Sequence, residues 1–460
     1  MMDTEPAFHK ITLQDRALFE QYVSPSPLRN CDLSFANIYC WQDTYHSEVA
    51  EYGGFMLIRF RLEADEPAYM QPIGEGDIRH IIEALKEDAA RCGTTLHICG
   101  ATTQWCEALE RAYPEQFAFR QERASADYIY SADDLATLPG RRYQPKRNHI
   151  NRFKSRYTWH YEPLSIANIA DCIRLNLRWM ENKNCCTMPS QYAEQYALQR
   201  ALLEFDHLPL RGGVLYADGE PAAFTYGSQI NSDTFCIHIE KADPNIEGSA
   251  TMINRLFAEE IATEYQYINR EEDLGIEGLR YAKMKYHPVE LLSKCSARLL
   301  GRREQEIRTL WQELFGDSRE QIDSFLGRYY RPDLTLTHEV AERIVSMLHI
   351  VPMQDSEGRR AAYIYAVATS AEHRGQGIAS ALLRQATQKI EADGYDYAFL
   401  IPSSDDALRL YRRLGFCEPL LPVHFGSEHD FGTGDPASDL AMVYPIATKE
   451  YPTAEISTVG

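Results

Sequence analysis

Apolar and polar positions follow the most regular pattern in the last third of the chain. Residues Ala361 to Thr369 read AAYIYAVAT, aromatic and β-branched enough for a buried strand. After the turn SAEHRGQG, the apolar residues Ala379, Leu382, Leu383, Ala386 and Ile390 fall at offsets 0, 3, 4, 7 and 11, a single helical face. Asp393-Gly394 stops that helix, and YAFLI (Tyr397 to Ile401) predicts the next strand. Ser403 to Asp406 carry N-cap chemistry for a second helix. There Ala407, Leu410, Tyr411 and Leu414 repeat the offsets 0, 3, 4 and 7, and Gly415 sits at the C-terminal stop. Upstream, Ile307 to Tyr330 predicts two short helices broken at Gly316-Asp317, and Thr335 to Met353 begins a sheet.

A similar order of elements occurs earlier. RGGVLY and PAAFTYGSQI flank Ala217 to Glu220, where Asp218-Gly219 is a strong hairpin signal. TFCIHIEKA is a strand, Gly248 to Thr263 a helix, YQYIN a strand, and a further helix precedes Tyr286. In the first 130 residues, GFMLIRFRL and AYMQPI precede a helix over Asp77 to Arg91, the strand TLHIC and the helix TQWCEALERAY. Strand–strand–helix–strand–helix three times predicts triplication of one α/β unit. The expected divisions are 1–135, 136–298 and 307–460, with the last boundary in the polar, basic stretch 296–306.

A chain of 460 residues is too long for one ordinary core, and 44% hydrophobic with 25% charged residues suits a soluble globular protein. No apolar run approaches the roughly 18–20 residues of a membrane helix. The first twenty residues carry Asp3, Glu5 and Asp15 and no apolar signal core, so a cytoplasmic location is expected. Eleven cysteines without regular spacing read as reduced thiols; Cys185-Cys186 are adjacent and offer no zinc-site spacing, so no metal is expected. A net charge of -20 argues against a general nucleic-acid binder. Residues 141–156 run the other way, with Arg141, Arg142, Lys146, Arg147, Arg152, Lys154 and Arg156 and no acid. One reading is an anion or acceptor site around Arg142, Lys146, Arg147 and Asn148, for tRNA, a phosphorylated acceptor or a lipid headgroup. The other is a basic helix face paired with acidic runs of the same chain.

The segment Arg374-Gly375-Gln376-Gly377-Ile378-Ala379-Ser380 carries the clearest chemistry. A pyrophosphate needs several backbone N–H groups converging on it, and a helix N-terminus supplies them with a favourable dipole. Gly375 and Gly377 admit phosphates close to the backbone, Ala379 keeps the first turn small, and Arg374 adds charge. The spacing Arg374-x-x-Gly377-x-Ala379, followed some thirty residues later by ALRLYRRLGF, resembles the GNAT N-acyltransferases over about 307–445. That resemblance implies acetyl-CoA as co-substrate, with Val367 and Thr369 pairing to the pantetheine arm and the 374–380 amides holding the pyrophosphate. It also implies a primary amine attacking the thioester directly, an oxyanion held near the Val367 N–H, and Tyr411 as general acid. Ser404 stands where the family often has Asn; it can still hydrogen-bond, though less extensively, and is the second catalytic candidate beside Tyr411. The strand before the loop offers no carboxylate base; Glu339, Glu342 and His338 are candidates by elimination, and water relays serve equally well.

Residues 1–298 resemble the family of the phosphatidylglycerol lysyltransferase C-terminal domain, through LSFANIYCWQDTYH (33–46), ADYIYSADDLATLPGRRYQPKRNHINRF (126–153) and NREEDLGIEGLRYAKMKYHP (269–288). This implies paired GNAT-like units and aminoacyl transfer from charged tRNA. The expected fold is therefore α/β (α+β): tandem GNAT-like units, mixed central sheets flanked by helices, the first of them structural. At the second unit's loop the small residues Gly248 and Ala250 remain, but Asn245 replaces Arg and Glu247 intrudes; at the first, Gly74-Glu75-Gly76-Asp77 brings two acids. Glu271, Glu272 and Asp273 with Arg280, Lys283 and Lys285 form either a cluster that works on an amine or a surface salt-bridge network. Two alternatives to CoA-dependent acylation stay open: an aminoacyl-tRNA-dependent transferase centred on 136–298, and a non-catalytic CoA sensor or scaffold.

Overall fold

The computed structural model describes residues 5–62, 66–183, 189–426, 431, 439–446 and 450–459; Cys185-Cys186 lie outside them. The chain divides into two compact units, 1–299 and 300–460.

The first unit is built on two sheets. One runs His9–Lys10, Glu48–Tyr52, Phe55–Arg61, Pro67–Met70, His97–Ala101, Cys295–Leu299, Phe117–Gln121, with Ile73–Gly74 paired to Phe55–Arg61. The other runs Glu290–Leu292, Asp127–Ser131, Tyr267–Asn269, Thr234–Ala242, Glu220–Gln229, Leu210–Ala217, Trp159–Pro163. The Asp218-Gly219 hairpin forms as expected: both residues are left-handed (φ 52° and 85°), which a type I′ turn demands.

Three tandem GNAT-like units are not what the chain builds. The strand Cys295–Leu299 crosses back into the first sheet and pairs antiparallel with both His97–Ala101 and Phe117–Gln121. Its Ala297 is fully buried there. Conversely, the strand Asp127–Ser131, which falls within the expected first division 1–135, pairs with Tyr267–Asn269 and Glu290–Leu292 in the second sheet. One apolar cluster joins Val49 and Met56 of the first sheet to Val214, Phe224 and Tyr226 of the second. Order along the chain reports local periodicity, whereas strand partners are chosen by tertiary packing, so a repeated order does not imply separate units.

The second unit has a single sheet in the order Thr335–Val340, Arg343–Asp355, Arg360–Thr369, Tyr397–Leu400, Leu440–Pro445, Cys417–His424, Ile456–Val459. Helices Arg302–Phe315 and Arg319–Tyr329 cover one face through Ile307, Leu310, Trp311, Ile322 and Phe325. Left-handed Gly316 ends the first, Ser318 caps the second, and Arg308 is paired with Asp323 at 2.8 Å. Helix Ile378–Ala392 covers the opposite face with the Leu382, Leu383, Ala386 and Ile390 stripe read from sequence.

Candidate functional site

The strand Arg360–Thr369 contains the local irregularities that open a ligand groove. Against Arg343–Asp355, its register passes from His349↔Tyr365 to Met347↔Ala368, so Ala366 and Val367 together oppose Leu348. Ala366 is left-handed (φ 51°), the backbone of a bulge that turns peptide groups out of the ladder. On its other side the strand pairs in parallel with Tyr397–Leu400 only over Ala361 to Tyr363. From Ile364 to Thr369 the two strands part, leaving the Val367 and Thr369 backbone along an open edge. Ser346 holds the strand end: its hydroxyl donates to the Ala368 carbonyl (2.7 Å) and lies 2.9 Å from the Thr369 hydroxyl.

The loop leaves that edge through the short turn Ala371–His373, tied by Ser370 Oγ to His373 Nδ1 at 2.9 Å. Gly375 (φ 76°) and Gly377 (φ 81°) are both left-handed, and Gly377 is the N-cap of helix Ile378–Ala392. Among the described residues, a Cβ at either glycine would meet no atom of another residue within 4 Å, so backbone conformation, not crowding, calls for glycine here. The same open space leaves room for a phosphate at the N–H groups of Ile378, Ala379 and Ser380. Arg374 Nε donates to the Thr369 carbonyl (3.2 Å) and Gln376 to the Glu372 carbonyl (3.3 Å), fixing the loop from both sides.

Tyr411, on helix Asp405–Arg413, is buried, with its ring 6.0 Å from Phe416. Burial pushes its phenol up to about 12. Tyr363, the last residue paired before the strands part, is buried as well, and burial first pushes its phenol up. Ser404 has a different position: its hydroxyl accepts the Ala407 N–H at 3.2 Å as the N-cap of the same helix. His338 and Glu339 lie on the exposed edge strand Thr335–Val340 and Glu342 in the turn after it, with Arg302 3.5 Å from Glu339.

The helix termini of the first unit do not repeat this geometry. Gly248 is left-handed and caps helix Ser249–Ile261, but a Cβ there would lie 2.8 Å from the His149 carbonyl oxygen and 3.0 Å from Phe153 Cβ. Helix Gln144–Arg156 therefore covers that N-terminus, and Glu247 pairs with Arg152 and Arg156. At the other position Asp77 itself caps helix Ile78–Arg91, accepting the Arg79 N–H.

The basic segment is largely occupied by its own chain. Arg142 pairs with Asp134 at 2.6 Å, and Arg147 donates to the carbonyls of Leu138 and Gly140 and to Gln144. Asn148 accepts from Gln144 (2.8 Å). Lys146 sits 3.4 Å from the Tyr286 ring centre, and burial, with help from Arg270, lowers its ammonium to about 8.

The 271–285 cluster separates into two parts. Asp273 is fully buried and held by Arg280 (2.9 Å), Arg123 (3.0 Å), Tyr128 (2.6 Å) and the Gly275 N–H. Those partners keep its carboxyl well below the usual range despite burial, which marks it as structural. Glu271 and Glu272 instead line a cavity of about 360 Å³. Of the residues around them, Ser34 and Asp127 fall in segments that carry the family resemblance, but Ser228, His238 and Lys294 do not, and the five do not join into one site in the sequence because they are scattered over more than 250 positions.

Family comparisons agree with this architecture. Residues 24–298 match the phosphatidylglycerol lysyltransferase C-terminal family and residues 299–418 the acetyltransferase (GNAT) domain family. The chain belongs to the phosphatidylglycerol lysyltransferase C-terminal family, with a GNAT domain fused behind that region. A conserved protein of unknown function from Bacteroides thetaiotaomicron VPI-5482 is 42% identical, with a TM-score of 0.63 over 64% of this chain and 100% of that one. The C-terminal domain (DUF2156) of a putative lysylphosphatidylglycerol synthetase from Agrobacterium fabrum is 13% identical, with a TM-score of 0.46 over 63% of this chain and 92% of that one. An uncharacterized protein of Mycoplasmoides gallisepticum (strain R(low / passage 15 / clone 2)) is 26% identical over 174 residues, 37% of this chain; the match spans about half of that relative, 55%. The first region thus matches one family domain and not two GNAT-like copies; only the C-terminal module is GNAT-like, an architecture consistent with acyl-CoA-dependent N-acyl transfer. Among the described residues no helix is long and apolar enough to cross a membrane.

Proposed function

We propose that the chain is an N-acyltransferase that moves an acetyl or other acyl group from CoA to a primary amine, with residues 307–460 as the catalytic module. The observation that carries this reading is the junction of the parted strand Arg360–Thr369 with an uncovered, glycine-opened helix N-terminus at Gly377. In this reading the pantetheine arm lies along the Val367 to Thr369 backbone, and the pyrophosphate rests on the amides from Gly375 to Ser380 beside Arg374. The amine nitrogen attacks the thioester carbonyl, a C–N bond forms, and the C–S bond breaks. A backbone N–H at the bulge near Val367 supports the oxyanion. Tyr411 gives its proton to the departing thiolate, and the proton of the new ammonium centre leaves through water. Ser404 contributes by anchoring the start of the helix that carries Tyr411.

Calorimetry with acetyl-CoA tests the reading. Saturable binding is expected, weakened about tenfold or more in Arg374→Glu, as the loss of a charge-assisted phosphate contact requires. An absence of CoA binding by folded protein would sink it. Binding without turnover across a broad amine panel would leave a sensor or scaffold instead. Specific tRNA binding that disappears on neutralising Lys146 and Arg147 would move the chemistry to residues 136–298.

A further inference from the structure

Helix Glu277–Met284 in the first unit is anchored by its polar side and leaves its apolar side uncovered. None of its eight residues is buried. Arg280 bonds to Asp273 through Nε and Nη2, both at 2.9 Å, and Lys283 donates to the carbonyls of Arg270 and Glu272. With half-buried Leu279, these two define the inward face. At 3.6 residues per turn, Glu277, Gly278, Tyr281, Ala282, Met284 and Lys285 share the opposite face, and all six are exposed. Tyr281 is 63% exposed, Met284 43%, and Ile276, the residue before the helix, 56%. Exposed apolar side chains gathered on one helix face, rimmed by charge, mark an interaction surface.

This face is complementary to itself. Tyr281 lies at its middle, with Glu277 four residues before it and Lys285 four after, Gly278 three before and Met284 three after. Two copies of the helix packed antiparallel about a twofold axis at Tyr281 set each Glu277 against Lys285 of the other copy. The same axis sets each Met284 against Gly278 of the other copy. A Cβ at Gly278 would meet nothing within 4 Å beyond its chain neighbours and its own helix backbone, so room for a methionine side chain is open there. Among the described residues neither Glu277 nor Lys285 forms an ion pair; the Lys285 ammonium rests 4.0 Å from the centre of the Tyr281 ring. A polyanion or an anionic surface calls for a face of one sign. Here an acid and a base stand at opposite ends of one helix, the arrangement that pairs antiparallel with a second copy.

We propose that this face joins two copies of the chain in an isologous dimer, with Tyr281 at the twofold axis, Met284 seated over Gly278 of the other copy, and a Glu277–Lys285 pair at each end. Two helix faces of two turns each, with Ile276 at the rims, fall at the low end of interface sizes, so a dissociation constant on the order of 10 μM is expected.

Sedimentation equilibrium of the full chain from about 1 to about 300 μM tests this, and a monomer–dimer equilibrium is expected across that range. Tyr281→Glu should weaken the dimer about tenfold or more, because it brings two like charges together at the axis. Glu277→Lys and Lys285→Glu should each weaken it about fivefold. The chain carrying both reversals should recover to within about twofold of the original, since each pair re-forms with its signs exchanged. All three positions are exposed, and thermal unfolding of each variant establishes that it is folded; if Tyr281→Glu does not fold, the charge exchange carries the test. A chain still monomeric at about 300 μM would overturn the proposal. So would a dimer unchanged in folded Tyr281→Glu or in the single reversals, or a double reversal no tighter than the single ones.

Discussion

The ammonium of Lys294 lies 2.9 Å from the carboxylate of Asp127, joining the residue before the last strand of the first unit to the residue that opens its second sheet. The pair fastens the strand exchange that unites the two sheets. Lys294→Met leaves Asp32, Asp127 and Glu272 facing one another in a buried place. A loss of about 3–5 kcal/mol is expected, as for breaking a buried pair. Urea unfolding of the 1–299 unit measures it, and adding Asp127→Asn to Lys294→Met should restore part of the loss.

Gly377 and Gly248 occupy the same left-handed cap position on different helices but differ in what surrounds them. Gly377→Ala places a methyl in open space and costs about 1 kcal/mol of backbone strain. Acetyl-CoA affinity should nevertheless fall about tenfold, because the methyl intrudes on the phosphate path. Gly248→Ala meets the His149 carbonyl oxygen at 2.8 Å, so it should lower the melting temperature more and leave CoA binding unchanged.

Tyr411→Phe removes the proposed acid while retaining the packing on Phe416. A fall in kcat of about a hundredfold or more is expected, with little change in KM for acetyl-CoA. Since burial pushes the phenol up to about 12, Tyr411 stays protonated through the neutral range. The ratio of wild-type to variant kcat should therefore be flat from about pH 6 to 9. A ratio that changes tenfold across that range would remove Tyr411 from the acid role.

His349 is fully buried in the second unit, its Nδ1 3.0 Å from the Thr335 hydroxyl, and burial, aided by Arg303, lowers its imidazole to about 3. An unfolded histidine titrates near 6.5, so between these values the unfolded state binds the extra proton. Stability contributed by neutral His349 is complete above about pH 6.5 and falls by up to roughly 1.4 kcal/mol per unit as pH drops towards the folded value. His349→Gln should be less stable at neutral pH and show a shallower acid limb; denaturant unfolding of the second unit from about pH 4 to 7 measures both.

The C-terminal helices and the phosphate-loop candidate were legible because their signals are local. The Leu382, Leu383, Ala386 and Ile390 stripe is a helical period, and Gly316 and Gly377 are residues for which left-handed backbone costs little. The Asp218-Gly219 turn was legible for the same reason. The role of Ser404 was not, since a serine before a helix signals a cap and a polar site residue equally well until its hydroxyl is seen to accept the Ala407 N–H. Nor was the division of the 271–273 acids, where Asp273 faces Arg123, 150 residues away, while Glu271 faces His238.

By itself, then, the sequence determined the elements with strong local signals, such as helix Ile378–Ala392 and the Asp218-Gly219 turn, because those properties depend on neighbours a few residues apart. Only the tertiary structure decided that Cys295–Leu299 joins the first sheet, that Gly248 is covered where Gly377 is open, and that Ser34, 204 residues from His238, completes a hydrogen-bonded chain to Glu271. Those outcomes follow from strand pairing and burial between distant segments, which local residue patterns do not encode.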